Sequence, residues 1–99
     1  MKLHFTAPLW LWAGKGAWHF ITLPEDESQV IRMAGPRGGQ NRGWGSVRVT
    51  ATIGATSWNT SIFPDKKSGT YLLPVKAGVR KAEAFAVGDA VEVTLSLDL

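Results

Sequence analysis

Between Ala90 and Leu97 the apolar residues Val91, Val93, Leu95 and Leu97 alternate with Glu92, Thr94 and Ser96, a period of two that sets one face of a strand against a core. The same alternation marks Leu3, Phe5, Ala7, Leu9 and Leu11, and again Val47, Val49, Ala51 and Ile53 with Arg48, Thr50 and Thr52 outward. Ala17 to Leu23 is apolar on both faces, which predicts a strand that is covered twice or meets a partner. Trp58 to Phe63, ending at Pro64, reads as a further strand, with Trp58, Thr60 and Ile62 on one face and Asn59, Ser61 and Phe63 on the other. Tyr71 to Leu73 runs into Pro74, which has no N–H for a ladder and a φ suited to a first helical turn. Val75, Val79, Ala82 and Ala86 then fall on one stripe of a short helix. An earlier helix starts at Pro24 with Glu25, Asp26 and Glu27, where the helix dipole favours negative charge, and Val30, Ile31 and Met33 form its apolar side. Turns are predicted at Gly14 to Gly16, Gly54 to Ser57, Asp65 to Gly69 and Gly88-Asp89. Six strands and two short helices suit a closed or nearly closed barrel, since closure removes exposed edges.

The strand, helix, strand grammar occurs twice. Leu23-Pro24 matches Leu73-Pro74, Val30/Ile31-Arg32 matches Val79-Arg80, and Val47-Arg48-Val49-Thr50 matches Val91-Glu92-Val93-Thr94, which suggests an internal repeat. Leu73-Pro74-Val75-Lys76, Val79-Arg80-Lys81 and Val87-Gly88-Asp89-Ala90-Val91-Glu92-Val93 resemble the swapped-hairpin module of AbrB/SpoVT-type transcription factors, whose two identical chains interlock into one barrel. The whole chain is similar to the family numbered 1905 among domains of unknown function. Its pattern is met by Trp18 to Pro24, Val47-Arg48-Val49 with Ile53-Gly54, Trp58 with Thr60-Ser61 and Pro64, and Gly69-Thr70-Tyr71 to Arg80 with Gly88-Asp89. The resemblance implies an all-β domain with two short helices, a six-stranded double-split β-barrel built from two pseudo-twofold-related AbrB-like halves. One domain over residues 1–99 is expected, with pseudo-repeats near 17–53 and 69–98.

Composition narrows the chemistry. Cysteine is absent, so disulfides, thiolate catalysis and Cys-ligated metal are excluded. The N-terminus, with its apolar run near Leu9 to Ala13, is read as a strand rather than a signal peptide, because His4 and Thr6 break the expected signal core and Ala17 continues into strand-like sequence. No stretch approaches the length needed to cross a bilayer, and a cytoplasmic location without membrane contact is the expectation. Formal charge is +3, a mild bias. Ala34 to Gly45, with Arg37 and Arg42 beside Trp44, is the one composition shift; it reads as a flexible loop with a faint likeness to RNA-binding arginine-glycine segments.

Catalysis finds little support: His4 and His19 lack the companions of a zinc site, His19 reads as a hydrogen-bonded structural residue, and Ser57 and Ser61 lack a nucleophile elbow. No catalytic residues, metal or cofactor are assigned, and a non-enzymatic binding or accessory module is expected. Lys76, Arg80 and Lys81 are candidate anion contacts, because like charges four apart on a short helix repel unless Glu83 or a ligand compensates. Arg48, Trp58 and Ser61 join them as candidates, Trp58 to stack on a small ligand and Ser61 to orient it. In the AbrB-like resemblance the Pro-Lys and Arg-Lys positions face DNA. The first half carries Glu25-Asp26-Glu27 there instead, so nucleic-acid binding is a disfavoured alternative. Trp10, Trp12 and Trp18 are candidates for a partner interface on an aromatic first hairpin. The expected partner is a small ligand or another protein, and the expected state a monomer or weak homodimer.

Overall fold

The computed structural model describes residues 1–34 and 45–98. In chain order these form β1 (Lys2–Leu11), β2 (His19–Thr22), α1 (Glu25–Ala34), β3 (Val47–Ile53), β4 (Thr56–Asp65), β5 (Thr70–Pro74), α2 (Ala77–Glu83) and β6 (Ala90–Leu97). The strands close an antiparallel barrel in the order β1-β2-β5-β4-β3-β6, with β6 returning to β1. Alternation along each strand decides what lies inside: Phe5, Ala7 and Leu9, then Ile21, Ile62, Tyr71 and Leu73, and the β3 and β6 series fill one continuous core.

Strand lengths shape the barrel. β1 and β4 have ten residues each, whereas β2 has four and β5 five. β1 pairs with β6 through Lys2 to Pro8 and with β2 only through Leu9 to Leu11. β4 pairs with β3 through Thr56 to Ile62 and with β5 only through Phe63 to Asp65. Each long strand therefore belongs to two half-sheets, one of β1, β3, β4 and β6 and the other of β1, β2, β4 and β5. The barrel is split where they part.

Exchanging β1 with β4, β2 with β5 and β3 with β6 leaves the strand order unchanged. The register follows the same exchange: Leu9 opposite Ile21 maps onto Pro64 opposite Tyr71, and Phe5 opposite Val93 maps onto Thr60 opposite Val49. The pairs Thr22 with Leu72 and Ala51 with Leu95 map onto themselves. This relation reaches β1 and β4, whose residues show no likeness to one another.

Several local expectations change. Pro74 ends β5, paired with Phe20, instead of opening a helix. α2 stops at Ala84, which adopts the left-handed region at φ 55° and ψ 50°. The helix ends before Ala86, and Ala82, though within it, is also exposed; of the expected stripe only Val75 and Val79 are buried, with Phe85 packed partly against the core. In α1, Val30 and Met33 point to solvent, Met33 at 78% exposure. The helix instead turns Ser28 and Ile31 inward, three apart and hence on one face. The serine is satisfied there: Oγ donates to the Leu23 carbonyl at 3.3 Å and accepts from the Tyr71 N–H at 3.1 Å, a buried tie between α1 and β5. β2 begins at His19 rather than Ala17, because Ala17 takes a positive φ of 48°. β4 begins at Thr56 and runs past Pro64 to Asp65, joined to β3 by the two-residue turn Gly54-Ala55. The arginine-glycine reading of Arg37, Arg42 and Trp44 lies outside the described residues. No helix of the described residues is long and apolar enough to cross a membrane.

Two predictions follow from these packing details. Ala84→Gly, which relieves a left-handed alanine at the end of α2, raises stability by about 1 kcal/mol and the melting midpoint by about 4 to 8 °C in a thermal scan. Burial pushes the Tyr71 phenol above its ordinary 10.0, with the Arg32 charge drawing it partly back. The unfolded chain therefore loses this proton first, so stability is full below about pH 10 and falls as pH rises through the folded value. In Tyr71→Phe the decline of the denaturation midpoint between about pH 9 and 11 is shallower than in the wild type.

Candidate functional site

A cleft lies beside the split in β4. β5 reaches only Phe63 to Asp65, so the edge of β4 from Thr56 to Ile62 has no strand on that side. α2 lies beside this gap, and Glu83 anchors it: Oε2 accepts from the Thr56 hydroxyl at 2.6 Å while the carboxylate closes over Gly54. A cleft of about 390 Å³ remains. Its walls are Trp58, Asn59 and Thr60 of β4, Pro74 at the end of β5 with Val75 and Lys76 leading into α2, Arg80 of α2, and Gly16 to Trp18 with His19 at the start of β2.

Each side chain reaches the cleft for a local reason. Alternation turns Trp58 inward, but it stands at the barrel's open side, so it is half-buried, with one part packed on the core and another lining the cleft. Lys76, extended at the N-cap of α2, and Arg80, four residues on within the helix, both line the cleft. The Arg80 Nε–H donates to the Val75 carbonyl at 3.4 Å, which orients the guanidinium and leaves its terminal amino groups as further donors. The carboxylate expected to offset Arg80, Glu83, is committed to Thr56. Among the described residues no Asp or Glu lines the cleft, so its charged groups are both cations.

The third wall is built by strain. Gly16 at φ 92° and Ala17 at φ 48° place two left-handed residues before Trp18, and an alanine there costs roughly 1 to 2 kcal/mol. A Cβ on Gly16 would meet the Trp18 indole nitrogen at 3.0 Å, so glycine lets the ring lie on the turn. Trp18 also stacks on Phe20, centroids 6.1 Å apart and planes inclined by 11°. His19 Nδ1 lies 3.0 Å from the Ala17 carbonyl. A carbonyl only accepts, so Nδ1 carries the proton and Nε2 of the neutral ring is an acceptor.

The candidates named from sequence separate into three places. Trp58, Lys76 and Arg80 come together in the cleft. Arg48 lies on the outer face of β3 in a second groove with Thr50, Ser96 and Asp98, which Asn59 also borders; Ser61 is its cross-strand neighbour. Lys81 is exposed on α2 and lines neither. Of the aromatic hairpin residues, Trp10 is half-buried, its indole N–H donating to Thr22 Oγ1 at 2.8 Å. Trp12 and Trp18, with Phe20, Phe63 and Leu72, line a shallow apolar groove on the outside of the second half-sheet, and Trp18 belongs to both groove and cleft. Sequence reasoning missed Asn59 as a lining residue, and gave His19 a structural role although it also faces the cleft. The one available signal was that the strand around Trp18 to Phe20 is apolar on both faces, which marked it as facing something other than water.

The model of a family described as a domain of unknown function, DUF1905, matches residues 5–95. The match takes in every residue that lines the cleft. No curated protein matches the chain.

Because Glu83 ties α2 to the β3–β4 turn through one charge-assisted hydrogen bond, Glu83→Ala lowers stability by about 1.5 to 3 kcal/mol. Amide exchange of Ala77 to Ala84 accelerates more than that of β3 and β6.

Proposed function

We propose that this chain, which belongs to the DUF1905 family, is a binding module whose cleft beside α2 captures a small anionic ligand. The observation that carries the reading is the convergence of Lys76 and Arg80 with Trp58 on one cleft that no described carboxylate lines. Two unneutralised cations against an aromatic wall favour a negative group, and a partly enclosed site of about 390 Å³ falls in the range of small-molecule pockets. A guanidinium held by its Nε leaves the donors that suit a carboxylate or phosphate.

A binding role rather than a catalytic one is supported by how the polar side chains are used. Ser28 is tied between the Leu23 carbonyl and the Tyr71 amide, His4 Nδ1 is engaged with Thr94, and His19 Nδ1 is spent on its own backbone turn. None of these pairs sets a nucleophile against a base at the cleft. Nucleic acid is a poorer match. Two phosphate contacts give a salt slope of only about −1.8, and Arg48 lies in a separate groove beside Asp98.

The test is a calorimetric titration of wild type and variants with small carboxylates and phosphates. Arg80→Gln weakens binding of the best anion by about tenfold or more, the value of a charged hydrogen bond in a sheltered site, and Lys76→Gln weakens it less. Lys81→Gln, outside the cleft, stays within about twofold. Equal losses at Lys81 and Arg80 would remove the reading.

A further inference from the structure

We infer that the ligand of this cleft is a planar aromatic acid, its ring set against the Trp18 and Trp58 indoles and its acid group at Lys76 and Arg80. This rests on the anion-binding reading and adds the ring to it. The two indoles come from different elements, Trp58 from β4 and Trp18 from the loop ahead of β2, while the cations come from a third place, Lys76 just ahead of α2 and Arg80 within it. The cleft therefore separates an aromatic part from a cationic part, and a ligand that uses both must carry a flat apolar body and a charged end. Indole faces favour flat π-systems over aliphatic chains of the same size, because stacking adds to area burial.

The loop geometry supports the same assignment. Half of the Trp18 surface is exposed, at 53%, yet the ring is held by Gly16 close to its Cδ1 and Nε1 atoms and by stacking on Phe20. A large indole fixed at a cleft mouth by two successive left-handed residues is preorganised for a partner of its own shape, and local strain of this kind clusters at ligand sites. Size agrees. A cavity of about 150 Å³ accepts one benzene ring, so about 390 Å³ has room for a two-ring system with its acid group. His19, with Nε2 as acceptor, and the Asn59 amide add hydrogen-bonding groups on the walls for a ring substituent.

Three probes of similar size separate the ring from the charge: 2-naphthoate, the neutral 2-naphthamide and the aliphatic decanoate. Each is titrated calorimetrically and followed by the indole N–H resonances. Binding of 2-naphthoate is expected to be roughly tenfold or more tighter than that of either comparison. Ring-current shifts should fall on the Trp18 and Trp58 indole signals and spare Trp10, whose N–H is bonded to Thr22. Trp18→Ala, at an exposed position where the fold is retained, weakens naphthoate about tenfold and leaves decanoate unchanged. Trp58→Phe keeps a ring and binds within a few fold of wild type. Equal affinity for decanoate and naphthoate, or loss of both alike in Trp18→Ala, overturns the aromatic assignment and leaves the anion reading standing. Equal affinity for naphthamide and naphthoate overturns the anion reading itself. Absence of saturable binding by all three probes overturns both.

Discussion

The structure depends on two strands that are too long for their neighbours. β1 and β4 each run ten residues, whereas β1 lies between strands of eight and four residues, β6 and β2, and β4 between strands of seven and five, β3 and β5, so neither is paired along the whole of either edge. Each divides its hydrogen bonds between two half-sheets. A backbone edge left without a partner must be covered or given to water, and beside β4 the covering element is α2, fixed by Glu83 on Thr56. The fit is incomplete at Trp58 to Thr60, and that shortfall is the cleft.

The exchange of halves that preserves strand order and register does not preserve chemistry. It places Leu3, His4 and Phe5 where the cleft has Trp58, Asn59 and Thr60. Glu25, Asp26 and Glu27 follow Pro24 in the first half, whereas Val75 and Lys76 follow Pro74 in the second. The helices differ as well: α1 docks through the buried Ser28 onto β5, while α2 begins later and is held from its far end. A symmetric backbone thus presents one split lined with cations and aromatics and another with different residues. Backbone pairing requires only register, and side chains at the splits are free to diverge without disturbing the shared core.

The outer faces divide the same way. On the half-sheet of β1, β3, β4 and β6 the outward side chains are mostly polar, several of them linked across strands, Thr50 to Asn59, Thr52 to Ser57 and Thr94 to His4. On the other half-sheet they are Trp10, Phe20, Phe63 and Leu72, with Trp12 and Trp18 alongside. Cross-strand hydroxyl and amide pairs give a hydrated surface, and the aromatic set gives an apolar one. Trp18 joins that apolar surface to the cleft, so the loop that holds it belongs to both.

How much of this was legible in the chain follows from the range of the interactions involved. Alternation at Val47 to Ile53 and Val91 to Leu97 determined two central strands and their inward residues, because a period of two needs nothing beyond the strand itself. The matching segments at Leu23-Pro24 and Leu73-Pro74 lie just past the end of β2 and at the end of β5, strands that exchange without changing strand order or register, and each was visible because it is a local pattern. The face that α1 turns inward was not legible, since Ser28 is held there by a local bond to the Leu23 carbonyl and by one from the Tyr71 amide, which only the closed barrel brings near, and hydropathy ranks Val30 and Met33 above it. Nor was the grouping of Trp58 and Arg80 with His19 and Trp18 legible, or the exclusion of Arg48 and Lys81 from it. Those residues lie on three separate elements, and where they meet is decided by how far β5 runs along β4 before the strands part, a length set by tertiary packing rather than by any local pattern.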